Sequence, residues 1–250
     1  QLGRDEWGDF YHRDLEAAGV KSDATNRVDD PTGTCMVFIT PDADRTLNTF
    51  LGANLSFGPK QITAEPIAKS QYIYIEGYLA SGDDSFDACL KAQDLAQKNG
   101  TKVSLTLSDP FMVNLFKERF TRLVDNGVDL LFCNEDESLA YTGAADRDTA
   151  CAALAQKAAT VCVTCGPDGI LLATQGQTHQ VAGVQVEAVD TTGAGDMFAG
   201  GYLYGVTNGY TPVQAAQLGS YAAAQVVARF GPRLESDLAD IPAILKHFSA

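Results

Sequence analysis

The chain has 250 residues, of which 45% are hydrophobic and 20% are charged, so it can build one large folded core and lacks a disordered composition. Its net charge of −14 would repel phosphate backbones and anionic lipid, so we expect neither nucleic acid nor a membrane as a partner. No apolar run approaches the roughly 20 residues that a membrane-spanning helix needs.

The start of the chain and its cysteines bear on where the protein works. The sequence begins at Gln1 without a methionine, from which we expect that an N-terminal part of the natural chain is missing. Six cysteines lie mostly within apolar runs, and reduced thiols are typical of a cytoplasmic protein. Cys162 and Cys165 form a C-x-x-C, which we interpret as two small hydrophobic residues because the sequence offers no second zinc-binding pair.

The first segment with a clear pattern covers residues 34–57. Residues 35–40 and 45–51 are β-rich and are separated by a short polar stretch that starts at Pro41. This pattern predicts a β-hairpin that lies outside the arrangement of the rest of the chain.

Beyond residue 70, short apolar runs alternate with amphipathic stretches. Strands are predicted at 72–75, 102–107, 129–133, 161–164, 170–174 and 186–189, and helices at 86–99, 111–124, 135–141, 148–158, 195–204 and 212–230. This alternation predicts an α/β fold with a mostly parallel sheet and helices on both faces. Ligands of such sheets bind beyond the carboxyl ends of the strands, so we expect a site formed by the residues at those ends: Gly77, Asp109, Asn134, Gly166 and Asp190.

The run DTTGAGD at 190–196 precedes an apolar helix and carries the chemistry of this site. Its glycines allow a ligand to approach the backbone, and the first amides of the helix would stabilise the charge of a transferring phosphoryl group. Asp196 could accept the proton of an attacking hydroxyl. Taken alone, the run is equally consistent with a flexible turn in which Asp196 stabilises the helix dipole. It is neither a Walker A loop nor a Rossmann fingerprint.

The same run, followed by Met197 and Phe198, closely resembles the C-terminal motif of the ribokinase-like (PfkB) kinase family. Further stretches are similar to other family motifs in the same order: residues 3–8 to G-x-D-x-x-G, residues 32–34 and 45–46 to the lid region, residues 134–137 to N-x-x-E, and residues 164–169 to T-x-G-x-x-G. Residues 74–78 look most like the adenosine-kinase-like branch. The resemblance covers essentially the whole chain.

The resemblance implies a ribokinase-like three-layer α/β/α sandwich with a mostly parallel central sheet and a small β-rich lid. Residues 1–250 would form a single domain, with about 32–58 contributing to the lid and the N-terminal part of the fold missing. The implied activity is transfer of the γ-phosphoryl group of ATP to a hydroxyl of a small-molecule sugar or nucleoside, with Mg²⁺ as cofactor. The alternative is a catalytically inactive, kinase-like binding or regulatory protein.

The resemblance also implies residue roles. Asp196 would be the general base, and the amides of Gly193, Ala194 and Gly195 would form an anion hole. Glu137 would organise Mg²⁺ with Asn134 nearby, although Asn134 and Glu137 also suit a helix capping box.

Nucleotide contacts are implied for Thr164, Gly166 and Gly169, whose alternative is a tight turn between two strands. Ser220 would lie beside the adenine, or would simply pack a helix.

The remaining implied roles concern a second cation, the acceptor and assembly. Asp190 and Thr192 match part of a site for a monovalent cation such as K⁺. Gly77 and Arg45 are candidates for contacts with the acceptor, although a solvated Arg45 is an equal alternative. A homodimer through the β lid is a further expectation.

Overall fold

The computed structural model describes residues 1–23, 26–43, 45–234, 238 and 240–248. The chain opens with strand β1 (Leu2–Gly3), helix α1 (Glu6–Ala17) and strand β2 (Arg27–Val28), which pairs in parallel with β1. The Asp5 carboxylate caps α1 by accepting a hydrogen bond from the Gly8 amide at 2.8 Å. The sequence analysis had not assigned this helix, although an Asp cap followed by acidic residues is a usual start signal.

The predicted hairpin is present. Strand β3 (Thr34–Ile39) pairs with the antiparallel strand β4 (Arg45–Phe50), with Thr34 opposite Phe50 and Ile39 opposite Arg45. Nearly every residue of both strands is exposed, so the hairpin stands outside the core.

After the short helix α2 (Ala64–Ala68), the chain forms the central sheet, whose strands agree closely with the predicted ones. The strands are β5 (Tyr72–Ile75), β6 (Lys102–Thr106), β7 (Val128–Asn134), β8 (Ala158–Thr164), β9 (Ile170–Thr174) and β10 (Gln177–Val181). Their spatial order is β10-β9-β8-β7-β6-β5, and β5 to β8 are parallel to one another. β9 and β10 continue the sheet in antiparallel pairing, so the sheet is mostly parallel.

Helices cover both faces of this sheet. They are α3 (Asp83–Asn99), α4 (Pro110–Leu115), α5 (Lys117–Asp125), α6 (Glu135–Thr142), α7 (Arg147–Leu154), α8 (Ala194–Thr207), α9 (Pro212–Val227) and α10 (Ile241–His247). One core cluster contains buried side chains of α3, α5 and α7, and a second contains those of α8 and α9. Successive strand residues alternate between the two clusters, which gives the expected three layers.

The two helices of the second cluster touch through their backbones. A Cβ on Gly201 of α8 would lie 2.8 Å from the Cα of Gly219 on α9. One turn later, a Cβ on Gly205 would lie 2.7 Å from the Cα of Ala215. Because no larger side chain fits at these positions, the glycines fix the position of α8 against α9.

Four sequence predictions differ from the structure, and one of them, the helix predicted at 212–230, ends at Val227. The predicted helix 111–124 is interrupted at Phe116, where φ is −118° and ψ is 31°, and forms α4 and α5 instead. The predicted strand 186–189 is not a strand, and the amide of its last residue, Val189, bonds to the Val227 carbonyl at 2.9 Å. The helix predicted at 148–158 ends at Leu154, because Ala158 already belongs to β8.

The C-x-x-C pair is divided between the two faces of the sheet. Cys162 packs in the cluster under α8 and α9, whereas Cys165 packs in the other. Both thiols are free and buried, and burial raises the pKa of each. Within the described ranges, no helix combines the length and apolarity that crossing a bilayer requires.

Candidate active site

The turn that leads into α8 presents unpaired backbone amides. Gly193 adopts a left-handed conformation with φ of +77° and is the N-cap of the helix. The Ala194 amide bonds to the Thr191 carbonyl at 3.3 Å, and the Met197 amide to the Gly193 carbonyl at 2.9 Å. The amides of Gly195 and Asp196 have no acceptor among the described residues. These amides and the helix dipole together favour an anion at this position.

Gly195 and Asp196 are exposed at the mouth of this turn. A Cβ added to Gly195 would meet no atom within 4 Å, so packing does not explain the glycine. A side chain there would instead project into the open space in front of the amides. The arrangement fits a phosphoryl group that approaches the backbone, with the Asp196 carboxylate beside it.

Asp190 holds the turn that leads into α8 in place through hydrogen bonds. Its residue is only 2% exposed, and its carboxylate accepts hydrogen bonds from the Thr192 amide at 2.8 Å and the Gly231 amide at 3.0 Å. Burial alone would raise the pKa of Asp190, but hydrogen bonds from Thr192 and Gly231 and the charge of Arg45 lower it. The Thr192 hydroxyl is buried and makes no hydrogen bond of good geometry.

Arg45 reaches this turn from the hairpin. Its guanidinium donates to the Thr191 hydroxyl oxygen at 3.0 Å. The same hydroxyl donates to the Ala43 carbonyl at 3.2 Å. The sequence had suggested Arg45 as an acceptor contact or a solvated side chain, and the structure gives it a protein partner 146 residues away.

A half-buried carboxylate, that of Glu76, lies at the end of β5. Glu76 accepts a hydrogen bond from the Ser108 hydroxyl, and the same hydroxyl oxygen accepts from the Gly77 amide at 2.8 Å. Ser108 has φ of +68°, an unusual conformation for a residue with a side chain. Burial raises the pKa of Glu76, and so does the charge of Asp196, which lies close by. A Cβ on Gly77 would lie 2.6 Å from the Thr106 carbonyl, so this glycine allows β5 and β6 to meet at their ends.

Glu137 and Asn134 form the capping box at the start of α6. The Asn134 side chain accepts from the Glu137 amide at 2.8 Å, and the Glu137 carboxylate accepts from the Asn134 amide at 3.0 Å. Burial raises the pKa of Glu137 to about 7, because the opposing hydrogen bond from Asn134 is too weak to compensate and the charges of Asp109 and Glu76 add to the effect. The capping alternative is therefore realised, and the carboxylate remains available to a cation.

This donor set fits Mg²⁺ only as a partial site. The described residues contain no group of three or more His, Cys, Asp or Glu side chains that could hold a metal ion. Mg²⁺ commonly keeps several waters and binds one or two carboxylates together with substrate phosphates. A single carboxylate whose pKa is raised mainly by burial and further by neighbouring acids is consistent with that mode, since a cation would offset both effects.

The loop between β8 and β9 contains the predicted nucleotide residues. Thr164 ends β8, and its hydroxyl donates to the Cys133 carbonyl at 3.4 Å. Gly166 and Gly169 have φ of +55° and +91°. A Cβ on Gly169 would lie 2.1 Å from the Val181 carbonyl oxygen, so the tight turn requires this glycine, which is compatible with a nucleotide contact. Ser220 lies buried on α9.

The phenol of Tyr78, a residue that is 44% exposed, is influenced by charges from several of these elements. Burial raises its pKa, the charges of Asp109, Glu76 and Glu137 raise it further, and the charge of Arg45 lowers it. The hairpin, the carboxyl ends of β5 and β6, and the start of α6 are therefore within electrostatic reach of one phenol. The sequence analysis assigned no role to four residues of this group: Glu76, Tyr78, Ser108 and Thr191. A carboxylate directly after the apolar strand β5 was the only signal for Glu76.

Comparison with known proteins gives concordant results. The model of the pfkB family carbohydrate kinases matches residues 1–238. The adenosine kinase of Saccharomyces cerevisiae is 30% identical over 251 residues, which covers 94% of this chain and 73% of the yeast protein.

Two solved structures have the same fold. A probable sugar kinase protein from Rhizobium etli CFN 42 has a TM-score of 0.92 and 32% identity, covering 98% of this chain and 74% of that one. Adenosine kinase from Sinorhizobium meliloti has a TM-score of 0.90 and 33% identity, covering 98% and 75%. The ribokinase-like α/β fold predicted from the sequence is therefore correct.

Proposed function

Because the chain belongs to the pfkB family of carbohydrate kinases, we propose that it transfers the γ-phosphoryl group of ATP to a hydroxyl of a nucleoside or sugar, with Asp196 as general base. One observation carries the proposal. An exposed carboxylate stands in the first turn of α8, beside backbone amides that have no acceptor among the described residues and in front of a glycine with open space around it.

In the proposed reaction, bound ATP supplies the phosphoryl group and Mg²⁺ neutralises part of its charge. The Asp196 carboxylate accepts the proton of the acceptor hydroxyl as its oxygen attacks phosphorus. The amides of Gly193 and Gly195, aligned by the left-handed Gly193, stabilise the negative charge that develops on the phosphoryl oxygens. The Ala194 amide, which bonds to the Thr191 carbonyl at 3.3 Å in the structure, would have to exchange that partner for a phosphoryl oxygen. Asp190 keeps this turn in place through its bonds to the Thr192 and Gly231 amides.

Further residues are proposed to contact Mg²⁺ and ATP, and most of them lie at or just after the carboxyl ends of strands. Glu137, with Asn134 beside it, would interact with Mg²⁺ mostly through water, as its buried and repelled carboxylate suggests. Thr164, Gly166 and Gly169 would contact the phosphates or ribose of ATP, and Ser220 would lie beside the adenine.

For the acceptor, we propose a nucleoside, and adenosine is the first compound to test. The support is the naming of the yeast and Sinorhizobium meliloti relatives as adenosine kinases. Within this chain, Glu76, Gly77 and Arg45 are the candidates for contact with the acceptor. Supporting this, the charge of Asp196 acts on Glu76, and Arg45 donates to Thr191 in the turn that precedes Asp196.

The test is ADP formation with MgATP across a panel of nucleosides and sugars. The turnover of the Asp196→Asn variant should be about 10²–10⁴-fold lower than that of wild type, while the variant still binds ATP. Asp125→Asn, which removes a surface carboxylate paired with Lys157, is the matched control and should keep wild-type turnover. Wild-type turnover in Asp196→Asn would contradict the role of the base. No turnover with any acceptor by the unaltered protein would favour the alternative of a kinase-like binding protein.

We also propose that K⁺ binds beside the turn, with Asp190 and Thr192 contributing. The buried Thr192 hydroxyl without a well-formed hydrogen bond offers an oxygen ligand, and Asp190 offers negative charge. Replacing K⁺ by tetramethylammonium at constant ionic strength should lower turnover, and equal turnover in both salts would contradict the site.

Residues 1–250 are proposed to form a single domain, with about 32–58 contributing to a lid that also pairs two copies. The hairpin exposes large apolar side chains on both of its faces: Met36, Val37, Phe38, Leu47 and Phe50. Exposed apolar patches of this kind often mark protein contacts. Light scattering should give the mass of a dimer that Phe38→Lys converts to a monomer. A monomeric wild-type chain at micromolar concentration would contradict the pairing.

A further inference from the structure

The hairpin of β3 and β4 has little support of its own. Its strands are exposed along almost their whole length, and an isolated two-stranded hairpin is at best marginally stable in water. Its base is attached where the Ala53 amide bonds to the Pro31 carbonyl at 2.7 Å. Its position therefore depends on what holds the opposite end.

That opposite end is the turn around Ala43, which behaves as a docked element. Ala43 is only 3% exposed, although the strands on either side of it are open to solvent. It has φ of +63°, which is unfavourable for alanine, and its amide bonds to the Thr40 carbonyl at 2.9 Å. A buried alanine with a strained backbone, next to the exposed Pro41 and Asp42, indicates that this point of the hairpin tip is held by contacts with the rest of the protein.

Thr191 provides such contacts. Its hydroxyl donates to the Ala43 carbonyl at 3.2 Å and accepts from the Arg45 guanidinium at 3.0 Å. One side chain thus uses both its donor and an acceptor position on the hairpin tip. The Thr191 carbonyl meanwhile accepts from the Ala194 amide at 3.3 Å, so the same residue takes part in the turn that presents the anion hole.

The two partners of this contact differ in how firmly they are held. The catalytic turn is fixed by the buried Asp190, which binds the Thr192 and Gly231 amides, and by Gly193, which packs on Pro232. The strands of the hairpin are exposed along almost their whole length, so little packing against the rest of the protein fixes their position. A contact between a fixed and a movable element sets the position of the movable one.

We propose that Thr191 is a positioning residue whose hydrogen bonds with Ala43 and Arg45 hold the hairpin on the catalytic turn and so close the acceptor site against water. We call this contact the latch. The proposal rests on the proposed kinase function for its catalytic consequence, but not for the latch itself. With the latch closed, the hydroxyl of the acceptor is the nucleophile that reaches the phosphoryl group. With the latch open, water enters and hydrolyses ATP to ADP and phosphate.

The test compares Thr191→Val, which keeps the shape and removes the hydroxyl, with Thr191→Ser, which keeps the hydroxyl. Thr207→Val is the matched control, because among the described residues its hydroxyl bonds only within α8, to the Leu203 and Tyr204 carbonyls. That position lies at the other end of the helix, about 20 Å from the turn.

Hydrogen exchange measures the latch directly. In Thr191→Val, the amides of residues 34–50 should exchange about tenfold faster, as loss of one to two net hydrogen bonds implies. Exchange should be unchanged in Thr191→Ser and Thr207→Val. Equal exchange of this segment in wild type and Thr191→Val would overturn the proposal.

The ratio of ADP formed to acceptor phosphorylated measures the consequence. It should be one in wild type, Thr191→Ser and Thr207→Val, and should rise clearly above one in Thr191→Val with a higher KM for the acceptor. A ratio of one in Thr191→Val would overturn the water-excluding role. If the unaltered protein phosphorylates no acceptor, the kinase proposal fails, while the exchange result still decides whether the latch exists.

Discussion

Gly193 and Gly195 stand two residues apart in one turn and have opposite surroundings. A Cβ on Gly193 would lie 2.6 Å from the Pro232 Cβ, and the residue has φ of +77°. A Cβ on Gly195 would meet nothing within 4 Å. The fold therefore requires the first glycine, whereas only a ligand would require the second.

Alanine substitutions should separate these two requirements. Gly195→Ala removes the backbone freedom of a glycine within a helix, so the free energy of unfolding should rise by about 0.5–1 kcal/mol. The new methyl group blocks the amides, so kcat/KM should fall about 10²-fold or more. Gly193→Ala should instead destabilise the protein by at least about 1–2 kcal/mol, from the left-handed conformation alone. Thermal unfolding and steady-state kinetics of both variants are the measurements. A Gly195→Ala variant with wild-type kinetics would argue against phosphoryl binding at this turn.

The buried Glu137 predicts a dependence of stability on pH. Its pKa is about 7 in the folded protein and near the ordinary 4.5 when unfolded. A carboxyl group with a raised pKa stabilises the fold below pH 4.5, and this contribution is lost as the pH rises through 7. Glu137→Gln stays neutral and keeps the capping box, so it should lack this loss, which is on the order of 3 kcal/mol.

Urea unfolding of wild type and Glu137→Gln from pH 5 to 8.5, without nucleotide, measures this difference. As the pH rises, the free energy of unfolding of Glu137→Gln should increase relative to that of wild type. The variant should also lose kinase activity. Parallel stability curves would show that Glu137 does not titrate in this range.

Replacing Asp190 by Asn should destabilise the protein because a backbone amide loses its hydrogen-bond acceptor. Asn in its place offers one acceptor and one donor, so one of the amides of Thr192 and Gly231 loses its partner, at a cost of about 1.5–3 kcal/mol. The lowered pKa of Asp190 means that its contribution is complete at neutral pH and is lost as the pH falls below the ordinary 3.8. Chemical denaturation at pH 7 is the measurement.

The matched control for this change is Asp146→Asn, because Asp146 is an N-cap whose carboxylate accepts from the Thr149 amide at 2.8 Å. Asn caps helices about as well as Asp, so the free energy of unfolding should hardly change. Equal stabilities of the Asp190→Asn and Asp146→Asn variants would contradict the anchoring role of Asp190.

The parallel part of the sheet could be predicted from the sequence because its strands are short apolar runs with distinct ends. β5, for example, has the predicted bounds. β10 escaped prediction because Gln177 to Gln180 are polar, so its only signal was the turn at Gln175 and Gly176, where both residues have positive φ. The break at Phe116 had no Gly or Pro to announce it. Propensity cannot locate an interruption that tertiary packing imposes.

The candidate site was predictable where its residues follow one another in a motif, as in the turn from Asp190 to Asp196. Contacts across long separations were not, because a threonine next to an aspartate carries no local sign of a partner in a distant hairpin. Thr191 lies 146 residues from Arg45, and Ser108 lies 32 residues from Glu76. Hydrogen bonds of this kind depend on how the strands are ordered in the sheet, which the sequence fixes only through the complete fold.

The backbone contact between α8 and α9 has a consequence for any attempt to change the acceptor of this protein. Since Gly201 meets Gly219 and Gly205 meets Ala215 without room for a methyl group, α8 can neither rotate nor slide without separating from its neighbour. The packing of α8 against α9 therefore fixes the direction in which the amides at the start of α8 point. Redesign of selectivity has to act on the strand ends and the hairpin, and libraries that spare the helix pair should retain far more active members than libraries that sample it.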